Sequence, residues 1–139
     1  MGKNKVLIIG GTGYLGKRLV RASLRLGYQT YVLQRQEMGV DIEKVELLLS
    51  FKREGAHLVC ASFNDHNSLV EAVKLVDVVI SAISGVHIRS HHILLQLNLV
   101  HAIKEAPNVK VTLYFDYSKV FYVVYRNDNH YRSSSFILI

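Results

Sequence analysis

The chain has no tryptophan, one proline and one cysteine. A lone Cys60 cannot close an internal disulfide, and no Cys/His cluster falls at zinc-ligand spacing, so a disulfide scaffold and a structural metal site are both excluded. The expected compartment is the reducing cytosol. Long apolar runs are also missing: Val76 to Ile80 is interrupted by Asp77, and nothing approaches the length needed to cross a bilayer. Met1 to Lys5 leads into only four apolar residues before Gly10, which is not a secretory leader. Val6 stands where a myristoylation motif needs Ser or Thr. What is present is 139 residues, 50% hydrophobic and 20% charged, too apolar for a disordered chain and of a length for one domain. The net charge is +6, but the basic residues are scattered from Lys3 to Arg132 with no block of like charge. That scatter predicts a solvated surface rather than a nucleic-acid or membrane-binding one.

Hydrophobic patterning predicts strict alternation of strands and helices. Lys5 to Ile9 is a short apolar run ending in glycine, as a strand buried on both faces reads. Tyr14 to Leu26 has helical spacing, with Leu15, Leu19, Ala22 and Leu26 along one stripe and Gly27 as a left-handed stop. Thr30 to Leu33 is a second strand; Asp41 caps a helix running to about Glu54, closed by Gly55. His57 to Ala61, with Cys60 expected to be buried and inert, is a third strand. A short helix over 65–74, a strand over 76–81, a longer helix over 88–105 and a fifth strand from Val109 follow. Right-handed crossovers make 3-2-1-4-5 the simplest order for the resulting parallel α/β sheet, a doubly wound arrangement with the first two helices on one face and the next two on the other.

Gly10-Gly11-Thr12-Gly13-Tyr14-Leu15-Gly16 places three glycines at G-x-x-G-x-x-G spacing between the first strand and the first helix. Gly10 allows the tight turn, Gly13 lets a diphosphate approach the backbone, and Gly16 permits close packing of the helix. The opening amides of the helix and its dipole favour an anion there. In this strand–turn–helix context the pattern predicts a dinucleotide site in a Rossmann-type fold. The second strand ends in Gln34-Arg35, with no adjacent acid to hold ribose hydroxyls. Arg35 can fork onto a 2′-phosphate, and Lys44 in the next helix can add a second charge. Two charge-assisted contacts of about 1.5–3 kcal/mol each would favour NADPH over NADH by roughly 100-fold or more. Ser81 and Ala82, small residues at the end of the fourth strand, would let the cofactor lie close to the backbone.

No catalytic constellation is visible. Tyr117 and Lys119 are two residues apart and Tyr114 and Lys119 five, neither giving the Tyr-x-x-x-Lys spacing that sets both groups on one helical face. His87 and His91 are four apart beside His92, yet no carboxylate or third ligand accompanies them, so no metal is assigned. Composition shifts after Lys110: residues 111–139 contain no glycine or proline and hold Tyr114, Phe115, Tyr117, Phe121, Tyr122, Tyr125, Tyr131 and Phe136. The segment reads as an irregular, aromatic-rich tail. A local hairpin over Val120 to Tyr125 and a sequence never selected to fold are the alternatives. The chain thus divides into a nucleotide-binding domain over 1–110 and a divergent tail over 111–139.

Residues 1–110 resemble the plant pinoresinol–lariciresinol and isoflavone-type reductases, the NmrA-like atypical short-chain dehydrogenases. The stretches that carry the resemblance are Val6-Leu-Ile-Ile-Gly-Gly-Thr-Gly-Tyr-Leu-Gly16, Thr30-Tyr-Val-Leu-Gln-Arg35, Gly39-Val-Asp-Ile-Glu-Lys-Val-Glu46, Ser68 to His91 and Ala102 to Lys110. The pinoresinol–lariciresinol branch is the most similar. The resemblance implies hydride transfer from NADPH to a phenolic lignan, reductively opening a benzylic ether. It also implies that Gly10 to Gly16, Arg35 and Lys44 hold the cofactor. Gln36 stands where the family has proline. The family's Pro-Ser-Glu-Phe-Gly stretch, its catalytic lysine and its substrate domain have no match after Lys110, and Lys119 does not inherit the lysine's role. The expectation is therefore a truncated reductase, weakly active or inactive, with a tail arising by intron read-through or frameshift. The alternatives are a non-enzymatic NADP(H) sensor and a fragment without a stable fold, whose uncovered sheet would aggregate or form a homodimer.

Overall fold

A computed structural model describes residues 4–35, 41–82, 90–115, 120–127 and 130–137. Strand β1 (Lys5–Ile9) feeds helix α1 (Tyr14–Arg25), then β2 (Gln29–Arg35), α2 (Ile42–Arg53), β3 (His57–Ala61), α3 (His66–Val73), β4 (Val78–Ser81), α4 (Ser90–Lys104) and β5 (Val111–Phe115). Two further strands, β6 (Val120–Asn127) and β7 (His130–Ile137), complete one seven-stranded sheet of order β3-β2-β1-β4-β5-β6-β7. The first five strands are parallel in the expected order.

Local chemistry sets the element ends. Asp41 and Asp65 accept from the Lys44 and Ser68 amides at 3.3 Å each, capping α2 and α3. Gly27 (φ 82°) and Gly55 (φ 106°) take the left-handed conformation just past α1 and α2. Asn108 Nδ2 lies 3.2, 2.9 and 2.6 Å from the carbonyl oxygens of Val73, Lys74 and Val76, fastening the turn after α4 to the α3–β4 connection.

Two apolar clusters flank the sheet. Leu7, Ile9, Leu33 and Val79 pack with α3 and α4 through Leu69, Val73, Leu99 and Ile103. Val6, Ile8 and Val32 pack with α1 and α2 through Val20, Leu48 and Phe51. Helices α1 and α2 therefore cover one face, and α3 and α4 the other, as the crossover rule requires.

Three expectations are corrected. The tail is not irregular: β6 pairs antiparallel with β5, and β7 with β6. A β-branched and aromatic segment free of Gly and Pro has strand propensity, and it continues the open edge of β5. The buried stripe of α1 is Gly16, Val20 and Ser23, not Leu15–Leu19–Ala22–Leu26, because the glycine turn brings the first turn of the helix down on Gly16. Cys60 is exposed, since β3 is an edge strand of the sheet.

Candidate functional site

The sequence-predicted residues gather where the parallel strands end. Strand β1 lies between β2 and β4, and the chain reverses its direction of growth across the sheet there, so a crevice opens beyond the ends of β1 and β4. Gly10 leaves β1 with φ 80°, a value only glycine adopts freely, and its carbonyl accepts from the Gly13 amide at 3.0 Å. The Gly13 carbonyl then accepts the first helical bond from Lys17 at 3.0 Å. The amides of Tyr14, Leu15 and Gly16 consequently have no intrahelical acceptor. Gly13 caps α1 with no side chain, and no acidic residue stands in the first turn.

Each glycine has a steric reason. A Cβ at Gly16 would collide with the Gly10 carbonyl oxygen, and one at Gly13 would sit 3.3 Å from the same atom. A Cβ at Gly11 would meet Val32 Cγ1 at 2.9 Å and Val20 Cγ2 at 3.2 Å. The turn is therefore closely approachable backbone with packed walls, and the Tyr14, Leu15 and Gly16 amides, which lack a helical acceptor, are able to take a diphosphate. Thr12 and Gly13 are half-buried, and Tyr14 and Leu15 are exposed at its lip.

Opposite the turn, Ile9 and Ser81 are register partners, and the Ala82 amide donates to the Ile9 carbonyl at 2.8 Å. Ser81 is only 1% exposed, yet among the described residues its Oγ has no hydrogen-bond partner. Buried hydroxyls are almost always paired, so this one marks a place where a polar ligand atom fits. Ala82 is also buried and adds no bulk.

Arg35 is the last residue of β2, paired with Ala61, so its backbone is at the same edge. Lys44 is in the first turn of α2, half-exposed, with Nζ 3.9 Å from Asp41 Oδ2. The ammonium is thus shared with a carboxylate, a fact the spacing did not reveal. His87, Tyr117 and Lys119 lie outside the described residues.

The sequence reading passed over the β3–α3 loop, which lies along the same rim. Asn98 Nδ2 donates to the Phe63 carbonyl at 2.9 Å, and Ser68 Oγ accepts from the Ser62 amide at 3.0 Å. The Asp65-x-x-Ser68 cap spacing was its available signal. Among the described residues no group of three or more His, Cys, Asp or Glu is placed to hold a metal, and no helix is long and apolar enough to cross a membrane.

Residues 2–133 match the NmrA-like family. The chain is 78% identical over 110 residues to the bifunctional pinoresinol-lariciresinol reductase of Forsythia intermedia, covering 79% of this chain and 35% of that protein. It is 68% identical over 108 residues to pinoresinol reductase 1 of Arabidopsis thaliana, covering 78% and 34%. Among solved structures, AtPrR2 with NADP+ and (+)pinoresinol shares 67% identity at a TM-score of 0.75, over 81% of this chain and 36% of that one. The leucoanthocyanidin reductase–NADPH complex from Vitis vinifera shares 29% at a TM-score of 0.68, over 78% and 34%. The chain spans about a third of the length of these relatives.

Proposed function

The chain belongs to the NmrA-like family, and on that premise we propose that it is the NADP(H)-binding portion of a pinoresinol–lariciresinol-type reductase. The observation that carries this reading is the pairing of a glycine-rich turn with a buried Ser81 hydroxyl that has no partner among the described residues, across the β1–β4 crevice. In a full-length reductase of this type, bound NADPH would supply the hydride that opens a benzylic ether of a phenolic lignan.

The chain's own residues would bind and orient. The amides of Tyr14, Leu15 and Gly16 would face the diphosphate, with Gly10 to Gly13 forming the floor. Ser81 Oγ would bond a polar atom of the cofactor, and Ala82 would leave room for it. Arg35 would hold the 2′-phosphate in bidentate fashion, with Lys44 as a weaker second charge because Asp41 competes for it. The names of similar structures with NADP+ or NADPH support the choice of cofactor.

No proton-transfer group is assigned, so the 139-residue chain by itself is proposed to bind cofactor with little or no turnover. A non-enzymatic NADP(H)-responsive role has the same support. Residues 111–139 are proposed as a segment divergent from the reductases, and the single exposed cysteine fits a reducing, cytosolic setting.

Titration with NADPH and NADH, read by thermal shift, tests the binding claim. A ligand at 100 times its Kd that binds only the folded chain adds about 2.7 kcal/mol, a rise of several degrees in Tm. An unchanged Tm in saturating NADPH would overturn the reading. Incubation with NADPH and pinoresinol should give no lariciresinol above background; clear product would establish turnover by this chain.

A further inference from the structure

The basic residues are spread along the chain, but the fold gathers them on one side of the sheet. Helix α1 carries Lys17, Arg18, Arg21 and Arg25 and no acid. With the caps of α2 included, residues 14–25 and 41–54 hold seven cations and four acids. On the opposite face, residues 65–74 and 90–105 hold two cations and three acids. The excess is also unpaired: among the described residues only Lys44, of the cations on α1 and α2, stands in an ion pair. Arg18 and Arg21 rest on aromatic rings instead, 4.3 Å from the Tyr14 centroid and 5.9 Å from that of Phe51. A ring holds a guanidinium in place without cancelling its charge.

Helical geometry sorts these side chains into stripes. The buried side of α1 is Gly16, Val20 and Ser23. Tyr14, Arg18, Arg21 and Arg25 follow at offsets of four, three and four, so they share the opposite side, and all are exposed. Helix α2 turns Leu48 and Phe51 inward. Ile42, Val45 and Leu49, at offsets of three and four, form its outer stripe and are 67, 42 and 50% exposed; Arg53 continues it. Both helices pack on one face of the sheet, side by side, as the Arg21–Phe51 contact shows. Their outer stripes therefore lie at one height, about 8–10 Å apart. The result is an arginine row beside an aliphatic row in a plane parallel to the sheet.

We propose that this outer face of α1 and α2 docks on an anionic lipid bilayer, with the arginines at the phosphates and Ile42, Val45 and Leu49 entering the headgroup boundary. Charge complementarity selects an anionic surface, because the excess is concentrated here and α3 and α4 lack it. Flatness selects a bilayer, because two coplanar stripes offer no groove to seat a particular protein shape. The aliphatic row gives the contact an apolar component that a purely electrostatic surface would lack. Glu46, between Ile42 and Leu49 on α2, is the acid nearest that row and opposes docking. The inference rests on charge and helix geometry and is independent of the cofactor reading.

The test is flotation of the intact chain with vesicles of phosphatidylcholine, alone or with about 30% phosphatidylserine, at roughly 0.05 and 0.5 M salt. The chain should float only with the anionic vesicles and be released at the higher salt. Arg21→Glu with Arg25→Glu should weaken binding at least about 50-fold, and Glu46→Gln should strengthen it roughly fivefold. Leu49→Ser, which changes no charge, should weaken it at least about threefold. Lys74→Glu with Lys110→Glu removes the same charge elsewhere and should stay within about twofold of wild type. Urea unfolding confirms that each variant is folded. Equal binding to neutral vesicles, no binding to anionic ones, equal losses in the two double variants, or indifference to both Leu49→Ser and Glu46→Gln would each overturn the proposal. A chain that ignores vesicles but binds polyglutamate through Arg21 and Arg25 would overturn it in favour of an acidic protein. Vesicle binding by a chain that takes up no NADPH would uphold it.

Discussion

Gly16 rests directly on the carbonyl of Gly10: the space a Cβ would occupy at residue 16 is already filled by that oxygen. The contact joins the first turn of α1 to the end of β1 and holds the helix amides over the glycine turn. Gly16→Ala must push the helix off the strand. The expected cost is about 1–3 kcal/mol or more, together with loss of the NADPH-dependent rise in Tm. Urea unfolding with and without NADPH measures both, and wild-type stability in the variant would refute the packing role. Gly11→Ala should also destabilise, because the added methyl would meet Val32 Cγ1 at 2.9 Å and Val20 Cγ2 at 3.2 Å, both on fully buried, β-branched side chains.

Ser81 offers the opposite signature. Its hydroxyl is buried without a partner among the described residues, so Ser81→Ala should leave the cofactor-free protein unchanged or more stable by up to about 1–3 kcal/mol. The same variant should bind NADPH more weakly, because a ligand contact is removed. Thermal melts in both states would show the two effects with opposite sign. A cofactor-free protein that loses stability would mean that the hydroxyl has a structural partner instead.

Arg35→Glu should weaken NADPH far more than NADH, by roughly 100-fold in relative affinity. Lys44→Ala should have a smaller effect, since its ammonium already faces Asp41 at 3.9 Å. Equal losses for both cofactors would remove the 2′-phosphate assignment.

Asn108→Ala should destabilise the chain by about 1–3 kcal/mol. One amide nitrogen lies within bonding distance of three carbonyls that end α3 and lead into β4. It carries only two protons, so two of the three can be bound at once. Urea denaturation reads the loss, and a variant within error of wild type would show that water replaces the side chain.

The sequence by itself determined the parallel core and the glycine turn, because both depend on chemistry local in the chain. Alternating apolar segments, the caps Asp41 and Asp65, and the stops Gly27 and Gly55 are read within a few residues of where they act. The G-x-x-G-x-x-G spacing belongs to one strand–turn–helix. Only the tertiary structure decided which side of α1 is buried, since that depends on Gly16 meeting Gly10 and not on where the leucines fall. It also decided that Cys60 lies on an edge, that Ser81 is buried with no partner among the described residues, and that Lys44 is shared with Asp41. The tail shows the difference most plainly. Its aromatic and β-branched residues carry strand propensity but no destination, and pairing required the open edge of β5, which exists only once four crossovers have laid the sheet down.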